Sequence, residues 1–176
     1  MVRVLLNHDH FGAVIDEALQ ACRHRAFLAT ADVKDLHVPT GRRRGQAKSI
    51  VEVFEELSAR HVEVRVLHGG VPSTPFLERL KRHVPETLTM RRCPRVHIKA
   101  VVLDGTQMYL GSANLTGAGL GAKSPRRRNF EGGVWTDDPE LIDPVLDMLD
   151  GIWQGDRCTD CGRRDHCPVP LEEPHL

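Results

Sequence analysis

Between positions 97 and 114 the chain reads His-Ile-Lys-Ala-Val-Val-Leu-Asp-Gly-Thr-Gln-Met-Tyr-Leu-Gly-Ser-Ala-Asn. His97 and Lys99 are two apart in a run of strand-forming residues, so their side chains leave one face while Ile98 turns into the core. Asp104-Gly105 reads as a hairpin turn, and Met108 to Gly111 as the strand returning from it. That return brings Ser112 and Asn114, again two apart, towards His97 and Lys99. One surface then collects an imidazole, an ammonium, a hydroxyl and an amide. The imidazole is a nucleophile and proton carrier, and the other three groups neutralise or hydrogen-bond an oxyanion. Such a set is suited to attack on a phosphate.

The flanking elements alternate between strand and helix. Val2 to Leu6 reads as a short buried strand, and Phe11, Val14, Ile15, Ala18, Leu19 and Cys22 fall at helical spacing, with Asp9 a cap. Ala26 to Val33 is a strand. Lys34 to Gln46 is a polar loop with three arginines between glycines. Ile50 to Leu57 is helical, Val62 to Val66 alternates as a strand ending at Gly69-Gly70, and Pro75 to His83 is a helix entered through proline. The strand carrying His97 runs from Val96 to Leu103. Gly117 to Asn129 is a glycine- and arginine-rich loop, Phe130 to Thr136 a strand, and Pro139 to Ile152 a last helix. This order predicts an α/β sandwich, its sheet made mixed by the late hairpin. His8-Asp9-His10 has metal-ligand residue types, but a strand-to-helix turn explains it as well.

At 176 residues, 40% hydrophobic and 27% charged, the chain suits one soluble domain with one core. No apolar run approaches the roughly 20 residues that span a bilayer. The opening stretch is too short in apolar residues for a signal peptide, so a cytoplasmic protein is the expectation. The 24 basic and 24 acidic side chains balance. They are nonetheless segregated: arginines cluster at Arg42 to Arg44, Arg91 to Arg92, Arg126 to Arg128 and Arg163 to Arg164. Local basic clusters attract phosphate even on a neutral molecule.

The spacing H-x-K-x(4)-D-x(6)-G-S-x-N, from His97 to Asn114, resembles the motif of the phospholipase D superfamily at all six specified positions. The likeness spans about residues 2 to 154, including Asn129-Phe130-Glu131 downstream, and is greatest to the small bacterial single-motif endonucleases. What the resemblance implies is an α/β/α sandwich and a phosphodiesterase that needs no metal. His97 would form a phosphohistidine. Lys99, Ser112 and Asn114 would hold the phosphoryl oxygens, Asp104 would fix the turn, and Glu131 would orient the imidazole. Because the chain has one such motif, the resemblance also implies a homodimer that joins two half-sites. Lys123 and Arg126, Arg127 and Arg128 would line the mouth of the site and bind substrate.

Residues 155 to 176 form a tail of different chemistry, distinct from a catalytic domain at 1 to 154. Five cysteines, without a secretion signal, argue against a disulfide framework. Cys158-x2-Cys161-x5-Cys167 is a metal-ligand spacing. Cys93 is the first choice of fourth ligand because it would staple the tail to the body; His166, His175 and Cys22 compete. A closed structural zinc site is the first expectation and an iron–sulfur cluster the second.

The arginine clusters suit the polyanionic backbone of DNA or RNA, which makes a nuclease the leading expectation. A phospholipid hydrolase or transphosphatidylase is the alternative, although no amphipathic membrane surface is evident and no stable membrane association is expected. A non-catalytic nucleic-acid-binding module is the third; binding alone would not require His97.

Overall fold

The computed structural model describes all of the chain but residues 8, 40–46 and 125 and the side chains of residues 11, 38, 39, 47 and 48. His8 and the Arg42 to Arg44 cluster thus lie outside the described residues. The strands are β1 (Val2–Leu6), β2 (Arg25–Thr30), β3 (His37–Pro39), β4 (Ala47–Ser49), β5 (Glu63–His68), β6 (Leu88–Arg92), β7 (Lys99–Leu103), β8 (Gln107–Gly111) and β9 (Gly132–Thr136). Seven of them form one mixed sheet in the order β1-β9-β8-β7-β2-β5-β6. Strands β2, β5 and β6 run parallel, and β7, β8, β9 and β1 continue antiparallel. The central strands β2 and β7 are buried on both faces, which is why Ala26 to Ala29 and Ala100 to Leu103 are continuously apolar.

Helices cover both faces. A helix over residues 9–21, wound as a π-helix at Phe11–Leu19, packs with α1 (Ile50–Ser58) and α2 (Thr74–Arg82) on one face. Val14, Ile15, Phe54, Leu57 and Phe76 meet Leu28, Val64, Val66, Val101 and Tyr109 there. Helix α3 (Pro139–Gln154) covers the other face through Ile142, Leu149 and Trp153, whose indole stands edge-on to Phe27 at 5.4 Å. The starts of α1 and α3 are set by Ser49, whose hydroxyl accepts from the N–H groups of Val51 and Glu52, and by Asp138, which accepts from Glu140. Helix α3 stops where Gly155 turns left-handed at φ 87°. The mixed-sheet α/β/α sandwich expected from the element order is the fold observed.

Several elements differ from the sequence expectation. Asp9 lies within the first helical turn instead of flanking it. The polar loop contains β3, which pairs with β4 in a separate two-stranded ribbon. Strand β6 has no apolar alternation to announce it, because only Met90 of its five residues is buried. Its two arginines are committed to the fold. Arg91 donates to the carbonyl of Trp153 at 2.6 Å and lies over the indole, and Arg92 is ion-paired with Glu172. They are not a phosphate patch. Strand β9 begins at Gly132, and Phe130 is 97% exposed. Among the described residues no helix is long and apolar enough to cross a membrane.

Candidate active site

The candidate site lies where β2 and β5 end and β7 begins. His97 sits on the extended approach to β7, two residues before the strand proper, and is exposed. Lys99 is the first residue of β7 and only 8% exposed. Its Nζ lies 3.1 and 3.2 Å from the two ring nitrogens of His97 and donates to the His97 carbonyl at 2.7 Å. The two side chains therefore share a face, while Ile98 packs into the opposite core. Burial holds the Lys99 ammonium below its ordinary pKa, and the Glu131 carboxylate works against that by favouring the charged form.

The return strand brings the remaining motif groups to the same end. Lys99 pairs in register with Gly111, so Ser112 and Asn114 follow directly beyond. Asn114 is positioned by Thr30, the last residue of β2: the Thr30 hydroxyl lies 3.2 Å from Asn114 Oδ1 and accepts from the N–H of Leu115 at 3.1 Å. The register of β2 with β7, continued one step past Ala29 and Ala100, sets Thr30 beside Lys99. Gly111 and Gly133 leave room for a buried tyrosine: a Cβ on either would stand 2.4 Å from the Tyr109 ring or its hydroxyl. That hydroxyl accepts from the Ala113 N–H at 3.2 Å and holds the Ser112–Asn114 turn against the sheet. Burial pushes the Tyr109 phenol up to about 12, so it stays neutral and does no acid–base work.

Glu131 lies next to this cluster, but its partners are not those expected. The Ser112 hydroxyl donates to one carboxylate oxygen, and Asn129 donates to the other at 3.0 Å. The Glu131 backbone is fastened to Asn7 by bonds in both directions, 2.9 Å from the Asn7 N–H and 3.2 Å to its side-chain oxygen. The carboxylate thus supports Ser112 and bears electrostatically on Lys99. Arg126 and Arg127 are exposed on the loop that leads into Asn129 and Glu131, and Arg128 is half-buried there.

Asp104 is not brought to the cluster. It occupies the far end of β7, about 17 Å along the strand from Lys99 at roughly 3.3 Å per residue. Its carboxylate accepts from the backbone N–H groups of Arg23, His24 and Arg25 at 3.0, 2.7 and 3.0 Å and lies 3.3 Å from the Cys22 thiol. Desolvation would raise its pKa, but these donors outweigh it and hold the carboxyl below the usual aspartate range. Asp104 thus stands apart from His97 and fixes the turn, clamping the end of the first helix to the β7–β8 turn. His10, from the other candidate ligand run, is fully buried edge-on to Tyr109 at 5.3 Å, with Nδ1 2.9 Å from the Asn7 carbonyl.

Two residues at the site carry no spacing that sequence reasoning would notice. Thr30 is one, visible beforehand only as a hydroxyl ending an apolar strand. His68 is the other: it pairs in register with Thr30, is 1% exposed, and has Nδ1 2.8 Å from the Gly70 carbonyl. Burial lowers its pKa, so it is held neutral.

Of the tail cysteines, Cys158, Cys161 and Cys167 line one cavity with Cys93, whereas Cys22 is buried elsewhere against Asp104. The tail is fastened over β6 by the Arg92–Glu172 pair and by Leu171, which joins the core beneath α3.

Comparison with known proteins agrees with this architecture. A family model described as "Cardiolipin synthase, PLD-like domain" matches residues 15–153. No curated protein matches the chain. Among solved structures, Nuc from Salmonella typhimurium, titled a phospholipase D family member, has a TM-score of 0.67 at 13% identity, with all of both chains covered. NucT from Helicobacter pylori has a TM-score of 0.64 at 14% identity, covering 88% of this chain and 97% of its own. A phosphatidylserine synthase from Haemophilus influenzae has a TM-score of 0.59 at 15% identity, over 87% of this chain and 38% of its own. At these identities the structures attest the fold, and the family model attests the kinship. The chain belongs to the phospholipase D superfamily.

Proposed function

We propose that the protein is a metal-independent phosphodiesterase, a nuclease that cuts DNA or RNA through a phosphohistidine intermediate and acts as a homodimer. The observation that carries the reading is the exposed His97 imidazole with the Lys99 ammonium against it, at the strand ends where Ser112 and Asn114 converge.

In the first step the neutral His97 imidazole attacks phosphorus, and the bond from phosphorus to the leaving oxygen breaks. His97 of the partner subunit, protonated, gives its proton to that oxygen. The same imidazole then takes a proton from water, whose oxygen displaces His97 and releases the phosphate. Two identical histidines must therefore hold opposite protonation states during the reaction. Lys99 from both copies neutralises the equatorial oxygens and Asn114 donates hydrogen bonds to them, with Ser112 in support. Arg126, Arg127 and Arg128 contact the flanking backbone phosphates, which gives affinity without sequence preference. Dimerisation follows from there being one half-site per chain. Leu6 and Phe130, at 54% and 97% exposure beside Asn7 and Glu131, are the apolar side chains that a second copy would cover.

A phosphatidyl-transfer reading draws on the description of the matching family and on the synthase among the similar structures. One experiment separates the two. Labelled single- and double-stranded DNA and RNA, and vesicles of phosphatidylglycerol, are incubated in excess EDTA with wild type and His97→Asn. The nuclease reading expects nucleic acid to be cut by wild type and turnover to fall by about 10^3-fold or more in the variant. Headgroup release from vesicles with nucleic acid left intact would replace it by the lipid reading. Cleavage by both proteins alike would refute the role of His97.

A further inference from the structure

Chain folding brings Cys93 to three tail cysteines that lie 65 or more residues further along the sequence. Cys93 follows β6 and is fixed by its N–H to the His68 carbonyl at 2.9 Å, and the tail returns to set Cys158, Cys161 and Cys167 around the same cavity, of about 380 Å3. All four are free and half-buried. The turn carrying Cys161 is built for a thiolate: the Arg163 N–H donates to its sulfur and the Arg95 guanidinium lies 3.7 Å from it. Donors of this kind stabilise sulfur that bears negative charge. Arg157 and Arg164 add positive charge to the rim, and Val96, Met148, Ile152 and Leu171 close the apolar side.

A single ion and a cluster ask for different arrangements of these sulfurs. Around one zinc ion, four sulfurs at about 2.3 Å stand only about 3.8 Å from one another. Among the described residues no three His, Cys, Asp or Glu side chains are close enough to hold a single ion. In a four-iron cluster each cysteine binds a different corner of an inorganic cube, so the ligand sulfurs stand wider apart and surround a volume instead of a point. Four thiols arrayed round a cavity, with no histidine or carboxylate on its wall, match that demand.

We propose that Cys93, Cys158, Cys161 and Cys167 hold an iron–sulfur cluster that staples the C-terminal tail to the segment leading into His97. Each thiol gives up one proton and its sulfur binds one iron; the protein itself undergoes no redox change. The Cys93 carbonyl accepts the Val96 N–H at 2.9 Å, and His97 is the next residue, so the cluster anchors the approach to the catalytic strand. The role is structural, since the attack proposed for His97 uses no metal. The cluster is read by metal content and not by turnover, so it stands or falls separately from the nuclease reading.

The test is anaerobic purification of the whole chain, with assay of iron, acid-labile sulfide and zinc, followed by reconstitution with ferrous iron and sulfide under a thiol reductant. The expected result is about four irons and four sulfides per chain with visible thiolate-to-iron absorption. That absorption is lost in Cys161→Ser and Cys93→Ser and kept in Cys22→Ala, whose thiol faces Asp104. One zinc per chain with no iron or sulfide would overturn the assignment. So would a folded, metal-free protein whose cysteines all react with a thiol reagent. Full iron retention in Cys93→Ser would remove the staple.

Discussion

Replacing Asp104 with alanine should cost stability and spare catalysis, although Asp104 stands within the motif. The carboxylate takes three backbone N–H groups and faces the Cys22 thiol. Bonds to a charged acceptor are worth about 1.5–3 kcal/mol when buried. The N–H groups of Arg23 and His24 are exposed, so water replaces the carboxylate there and each loss is nearer 0.5–1 kcal/mol; the partly buried Arg25 and Cys22 donors contribute about 1 kcal/mol or slightly more each. Asp104 also has a left-handed backbone at φ 53°, which costs alanine about a further 1 kcal/mol. The sum, about 4 kcal/mol, lowers the melting temperature by about 8–16 °C in a chain of this size. The Asp104→Asn side chain keeps one acceptor oxygen and tolerates the backbone, so its loss should be about half. The carboxyl pKa is lower folded than unfolded, so its contribution is complete above the ordinary aspartate range. It is lost as pH falls from that range through the lower folded value, and the D104A deficit should shrink over that interval. Calorimetry across pH measures this, and turnover is compared at a temperature where all variants are folded. A fall of roughly 100-fold in turnover with the melting temperature unmoved would show that Asp104 acts on the reaction.

Three further outcomes are expected. In Glu131→Gln the Lys99 ammonium loses the charge that favours it while burial remains, so its pKa falls further; the alkaline limb of the kcat/KM profile should move to lower pH, and an unmoved limb would separate Glu131 from Lys99. Phe130→Ala removes an exposed ring proposed to be covered in the dimer, and at about 1.5–3 kcal/mol per ring, two rings raise the dimer Kd by roughly 10^2- to 10^4-fold by light scattering; an unchanged Kd would place the interface elsewhere. His68 has its folded pKa depressed, so the stability it contributes is complete above the ordinary imidazole range and lost as pH falls through it, at about 1.4 kcal/mol per pH unit; His68→Gln should flatten that acid decline, seen by chemical denaturation at stepped pH.

The sheet was legible because its central strands are buried on both faces and its helices keep a single apolar stripe. Val14, Ile15 and Leu19, and Val53, Phe54 and Leu57, announce their faces by spacing alone. Strand β6 was not legible, because an edge strand whose arginines bond to a carbonyl of α3 and a tail carboxylate has no alternation of its own. The motif gave His97, Lys99, Ser112 and Asn114 because hairpin geometry converts spacing into proximity. It could not give Thr30 or His68, which reach the site through parallel pairing across 38 residues of sequence, from Thr30 to His68. Nor could it show that Glu131 turns to Ser112 and Asn129, since a carboxylate among several donors is assigned by three-dimensional distance and not by order along the chain.

The two ends of β7 carry opposite kinds of work, and this explains why one short motif mixes reactive with inert residues. At its start, Lys99 keeps a charge under partial burial beside an exposed imidazole, an arrangement that costs stability and suits only chemistry. At its end, Asp104 satisfies backbone donors that would otherwise leave the first helix loosely attached. Between them Ala100 to Leu103 fill both cores, so the strand cannot slide without exposing apolar surface on one face or the other. Fixing its register therefore fixes where His97 stands. Three separate braces converge on that end: Thr30 on Asn114, Tyr109 beneath Gly111 and Gly133, and Cys93 on the segment before His97. The phosphoryl transfer proposed above, which would join two half-sites, calls for bracing of this kind. The proposed cluster would serve the reaction through the third brace, by holding the strand's approach and not by touching the substrate.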